Sequence, residues 1–152
     1  MINTSKSPTK RLSRAVPLAL LLLTSTSLYA QQPMSISLKG DVEVPPVTTS
    51  ATGTGQFTVL AERTVSGSVK TSGMVPTVAH IHEAAVGKNG PPIITLSKTS
   101  KDSFVVPADA RLTEAQYTSY VAGNLYVNVH SEQHPEGEIR AQLLGRPMRI
   151  AN

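Results

Sequence analysis

From position 34 onward apolar and polar residues alternate, and this period of two governs most of the chain. In MSISLK (34–39), Met34, Ile36 and Leu38 fall on one face and Ser35, Ser37 and Lys39 on the other, as in a strand that buries one side. GQFTVL (55–60) and TVSGSVKT (64–71) predict an antiparallel pair around a turn at 61–63. Five more strands are predicted at VAHIH (78–82), PIITL (92–96), SFVV (103–106), NLYVNVH (124–130) and EIRAQLL (138–144). Gly, Pro and Ser punctuate them, and the paired prolines of EVPPVTTSATG exclude a central strand there.

The pattern breaks once. Thr113 followed by Gln116 forms a capping box, in which each side chain satisfies a backbone N–H that the first helical turn leaves free. Leu112 and Tyr117 are placed to staple across the cap, and Gly123 offers the left-handed stop. A short helix over 114–122 is therefore expected. About eight short strands and one helix predict an all-β domain, a Greek-key β-sandwich or barrel. No repeat or linker marks a second domain, so one domain over 31–145 is expected, with a loosely ordered tail, RPMRIAN, over 146–152.

The first thirty residues follow another logic. Lys10, Arg11 and Arg14 precede the apolar run AVPLALLLLTSTSL, and a small residue stands at Ala30. This is the layout of a cleaved secretory leader over 1–30, and the run is short for a bilayer span. Export to the periplasm or the outside is thus expected, with no stable membrane insertion after cleavage. The leader holds four of the fourteen basic residues, leaving ten against ten acidic ones. The domain is near neutral and has no basic run, which excludes a nucleic-acid surface. Cysteine is absent, so disulfides, a lipid-modified leader, a copper–thiolate centre and thiol catalysis are all excluded. No G-x-S-x-G elbow occurs, and AVGKNGPP lacks the spacing of a phosphate-binding loop.

All four histidines lie in two short motifs: His80 and His82 in VAHIH, His130 and His134 in NVHSEQH. On a strand, His80 and His82 share a face while Ile81 points the other way, with their Cα atoms about 6.5–7 Å apart. That spacing lets two imidazoles lean onto one ion at about 2 Å. Tyr126, Asn128 and His130 share a face in the same way, with Val127 and Val129 inward, and the turn brings His134 back. The candidate metal ligands are His80, His82, His130 and His134. An all-imidazole set suits copper, with zinc as the alternative. Glu83, Glu132 and Glu136 are candidate oxygen ligands or ring-orienting groups, although each also reads as a solvated surface charge. Asn128 reads as a strand-edge hydrogen bonder and Tyr126 as packing.

The same residues carry a family resemblance. EVPPV (43–47), AHIHEAAVGKNGP (79–91), AQYTSYVAGNLYVNVHS (115–131) and HPEGEIRAQL (134–143) resemble the CHRD domain, a family named after chordin. The likeness runs from about Ser35 to Leu144. It implies a secreted or surface protein and no particular activity. A more distant likeness is to copper/zinc superoxide dismutase, a Greek-key β-barrel. It implies that His80 and His82 match the H-x-H copper ligands and His130 the ligand on a later strand, with His134 supplying the fourth nitrogen. The disulfide and the zinc loop of that family are missing, and Arg140 reads as a strand-surface residue paired with Glu138.

Three functions follow as expectations: an exported copper-binding module for storage or delivery; a cell-surface structural or interaction domain whose histidines only tie loops together; and a copper redox enzyme such as a superoxide dismutase. The protein partner, if there is one, is not specified by the sequence.

Overall fold

The structure is a computed structural model that describes Met1 and residues 33–145. Met1 aside, the expected leader and the expected tail lie outside the described residues. Nine antiparallel strands form one sheet: β1 (Met34–Lys39), β2 (Thr52–Val59), β3 (Val65–Ser72), β4 (Pro76–Glu83), β5 (Pro92–Thr95), β6 (Ser97–Lys98), β7 (Ser103–Val105), β8 (Leu125–Ser131) and β9 (Ile139–Leu143). Their spatial order is β5-β4-β8-β9-β1-β2-β3-β7-β6. The end strands β5 and β6 are joined through Leu96 alone, whose N–H donates to the Ala79 carbonyl at 2.9 Å. The chain thus steps from one edge of the sheet to the other and nearly closes it into a barrel, leaving little exposed strand edge.

The interior is the apolar face that the period of two predicts. Leu38, Phe57, Val59, Val69, Ile81, Phe104, Val127, Val129, Ile139 and Leu143 all pack there. At β2 the strand starts at Thr52, earlier than expected, because Gly53 and Gly55 occupy inward positions. A Cβ at Gly55 would lie 3.0 Å from the Phe57 ring, so glycine makes room for the aromatic side chain. Between β2 and β3 the chain turns with Arg63 at φ 75° and its N–H bonded to the Leu60 carbonyl at 2.8 Å.

The single helix, α1, spans Glu114–Val121 with both capping-box bonds present. Its end is a Schellman motif: Gly123, at φ 76°, donates to Tyr120, and Asn124 donates to Ser119. Leu112 and Tyr120 anchor this segment to the core and deliver the chain into β8.

β8 departs from simple alternation, since every residue from Leu125 to Ser131 is buried. Leu125, Val127 and Val129 face the interior. Tyr126, Asn128 and His130 face outward, but the 84–91 loop and the 43–47 segment lie over that side. Gln142 Nε2 donates to the Ala84 carbonyl at 2.9 Å and Arg140 Nη2 to the Lys88 carbonyl at 2.7 Å. Asn89 Nδ2 then ties the loop to the Val44 carbonyl at 2.6 Å. The barrel therefore has a second, polar layer outside β4, β8 and β9.

Candidate metal centre

Three histidines meet in that polar layer. On β4, Ile81 is in the core while His80 and His82 point outward. The antiparallel register places His80 opposite Asn128 and His82 opposite Tyr126, so His130 reaches the pair diagonally from β8. Ring centroids are 5.4 Å apart for His80–His82, 4.9 Å for His80–His130 and 6.3 Å for His82–His130. One nitrogen from each ring lies within 4.8 Å of the others.

Backbone carbonyls fix how two of the rings present their nitrogens. His130 Nδ1 lies 2.8 Å from the Pro135 carbonyl and His82 Nδ1 lies 2.8 Å from the Gly90 carbonyl. A carbonyl only accepts, so each Nδ1 carries the proton and each Nε2 keeps its lone pair. His82 Nε2 is buried without a hydrogen-bond partner. His80 Nδ1 lies 3.0 Å from His130 Nε2 and is the donor of that pair. A shift of its proton to Nε2 would turn all three nitrogens into lone-pair donors.

Electrostatics disfavour positive charge on His80 and His82. Burial pushes His80 down to about 4, helped by repulsion from His130 and His82. Burial also lowers His82, with His130 and Arg140 adding to the effect, while the Gly90 carbonyl and Asn128 oppose it. Neutral imidazole is the form that ligates metal.

The supporting residues include two that the sequence reading misplaced or passed over. Tyr126 stacks on His82, with centroids 4.8 Å apart and planes within 10°, so its packing role holds the ring of a candidate ligand. Arg140 is not a surface residue paired with Glu138: it is 2% exposed, and its guanidinium lies 3.4 Å from the Tyr126 ring centroid. Its Nη1 and Nη2 donate to Asn89 Oδ1 at 3.0 Å and to the Lys88 carbonyl at 2.7 Å. Glu138 instead accepts from Thr49 Oγ1 at 2.7 Å. The correction has a physical cause, because alternation assigns both residues to the outer face but is silent on the loops that cover it. Glu43, in EVPPV, is the other such residue. It is 5% exposed, and burial raises its pKa to about 7 despite the opposing pull of Arg140, the Val44 N–H and Asn128. The signal for it in the sequence is an acid placed two positions before a rigid proline pair.

Gly137 lets this layer close. At φ 131° it sits where a Cβ would fall 2.6 Å from Asn128 Nδ2 and 2.7 Å from Glu43 Oε1.

The remaining candidates lie apart from the trio. His134 stands in the turn after β8, its carbonyl accepting from Ser131 N and Gly137 N, and it lines a surface depression with Met74, Val75 and Glu138. It does not belong to the 4.8 Å cluster. Glu83 accepts from Ser119 Oγ at 2.6 Å and so ties β4 to α1, while Glu132 and Glu136 are exposed. The surface depression over β1, β2, β3 and β7 is lined by Thr54, Gln56, Ser68 and Lys70 and contains no histidine. Of the trio, His82 is tied to the 84–91 loop through Gly90 and His130 to the turn after β8 through Pro135.

A family model described as the CHRD domain matches residues 34–143. No curated protein and no solved structure matches the chain.

Proposed function

The chain belongs to the CHRD-domain family, and from that premise we propose that it is an exported module holding one copper ion through His80, His82 and His130. The observation that carries this reading is the convergence of one nitrogen from each ring within 4.8 Å. The rings of His82 and His130 are aimed by backbone carbonyls that leave Nε2 unprotonated, the arrangement by which metal-ligating histidines are held in place. Three neutral imidazoles with no thiolate favour copper(II) over zinc on intrinsic affinity. The leader expected over 1–30 supports work outside the cytoplasm, in copper storage or delivery. No helix among the described residues is long and apolar enough to cross a membrane.

Calorimetric titration of metal-free protein with copper(II) and zinc(II) tests the proposal. The expected result is one ion per chain, with binding abolished in the His80→Ala/His130→Ala double variant. Stoichiometry far below one, or binding unchanged in the double variant, refutes it.

One observation favours a second reading. The 3.0 Å bond between His80 and His130 joins β4 to β8, and the Gly90 and Pro135 bonds tie two loops to the same rings. In a metal-free surface domain these bonds alone would account for the histidines. That reading expects no tight metal uptake and a loss of stability in the double variant.

A further inference from the structure

We propose that the side-chain oxygen of Asn128 is the fourth ligand of the centre, completing a set of three nitrogens and one oxygen. This rests on the copper reading above and deepens it.

The placement follows from register. Asn128 pairs directly across the ladder with His80, precedes His130 by two residues on the same face, and lies diagonal to His82. Opposed residues have Cβ atoms about 4.5–5.5 Å apart and diagonal neighbours about 7–8 Å. Asn128 is thus adjacent to all three histidine positions.

Its carboxamide is oriented. Glu43 Oε1 and Asn128 Nδ2 flank the same point beside Gly137. With the nitrogen directed there, the oxygen takes the other branch of the carboxamide, away from that point. Asn128 is 3% exposed and its Oδ1 has no hydrogen-bond partner. His82 Nε2 is also buried and also lacks a partner. Both atoms are acceptors, since His82 Nδ1 carries the proton.

The consequence concerns which ion is preferred. Copper(I) is soft and is satisfied by three imidazoles, whereas copper(II) and zinc(II) take a fourth, harder donor readily. Asn128 therefore favours the divalent ions.

The test compares the wild-type protein with Asn128→Leu, which keeps the shape and removes the oxygen, and Asn128→Asp, which makes the oxygen anionic. Each is titrated with copper(II), zinc(II) and, without oxygen, copper(I), and the copper(II) forms are examined by electron paramagnetic resonance. Asn128→Leu is expected to weaken copper(II) and zinc(II) by about tenfold or more while copper(I) affinity holds. Asn128→Asp is expected to tighten copper(II) and change its hyperfine splitting. Should Asn128→Leu fail to fold, Asn128→Asp decides alone. If the wild type binds and either variant shows unchanged copper(II) affinity and spectrum, Asn128 is not a ligand and the trio stands without it. If the wild type takes up no metal, the copper reading itself fails and takes this one with it.

Discussion

Replacing Arg140 by methionine separates the covered-layer description from a surface ion pair. The substitution keeps much of the aliphatic bulk and removes the donors to Asn89 and Lys88 and the cation beside Tyr126. Hydrogen bonds from a charged donor contribute about 1.5–3 kcal/mol each, and a desolvated cation–π contact about 2 kcal/mol. Against this gross loss stands the relieved cost of burying a guanidinium, which is itself several kcal/mol. Truncating one member of a buried charged network typically costs about 3–5 kcal/mol net. The lower end applies here, because Glu43, already raised to about 7, can take up a proton once its cation is gone. The expected loss is thus about 3 kcal/mol, a fall in Tm of about 12 °C for a domain of this size. Urea unfolding followed by circular dichroism should show the midpoint falling with the slope unchanged. A double-mutant cycle with Asn89→Ala should give a coupling of about 1 kcal/mol, and one with Glu138→Ala much less. A loss below about 1 kcal/mol, the range of an exposed ion pair, together with coupling to Glu138, would refute the reasoning.

Three further outcomes follow. Gly137→Ala puts a methyl group against Asn128 and Glu43 at a φ of 131°, so a loss of about 3 kcal/mol is expected in urea unfolding; a loss no larger than that of a surface substitution would show that the layer is not close-packed there. Copper(II) at a free concentration of about 100 times its Kd should raise stability by about 2.7 kcal/mol, a gain that a chelator reverses and the His80→Ala/His130→Ala variant never shows; an equal gain in that variant would place the ion elsewhere. In metal-free protein, His80 has its pKa lowered from 6.5 to about 4, so the stability it contributes is present above 6.5 and lost as pH falls through 4. Glu43, raised from 4.5 to about 7, works in the opposite sense, its contribution being present below 4.5 and lost as pH rises through 7. Glu43→Gln should therefore leave a stability that climbs with pH between about 4 and 6.5, and a flat profile in that variant would contradict the assignment.

Much of the barrel was legible because its strands bury one face. Met34–Lys39 reads off as a strand with its true limits, and Thr113, Gln116 and Gly123 mark both ends of α1 because capping is local chemistry. His80 and His82 follow from the same alternation, since residues two apart on a strand share a face, whereas His130 joins them through the pairing of β4 with β8, which alternation does not specify. The two-residue β6 was missed, being too short to show a period. His134 lies apart because its position depends on the turn after β8, where bonds from Ser131 N and Gly137 N to its carbonyl set the path. Arg140, Glu138 and Glu43 were obscure for another reason: alternation says that a residue points outward, but not whether a loop returns to cover it. Only contacts between residues distant in sequence, such as Arg140 with Asn89, carry that information.

The polar layer raises a question of energetics that points back to the histidines. His82 Nε2, Asn128 Oδ1 and Glu43 Oε1 are buried with no donor, and a buried acceptor left unsatisfied costs about 1–3 kcal/mol. Together they cost on the order of the margin by which a small domain is stable. Apolar side chains at positions 82 and 128 would avoid that cost, because both positions are already buried. Glu43 can relieve its share by binding a proton, its pKa being raised to about 7. His82 and Asn128 have no such route: burial works against the imidazolium, and an amide oxygen does not protonate in this range. A cation held between them would satisfy both at once, and Nε2 of His130 and the ring of His80, now bonded to each other, could turn to complete its shell. Metal binding, as proposed, would thus satisfy the two acceptors that a proton cannot, and the titration of metal-free protein tests it.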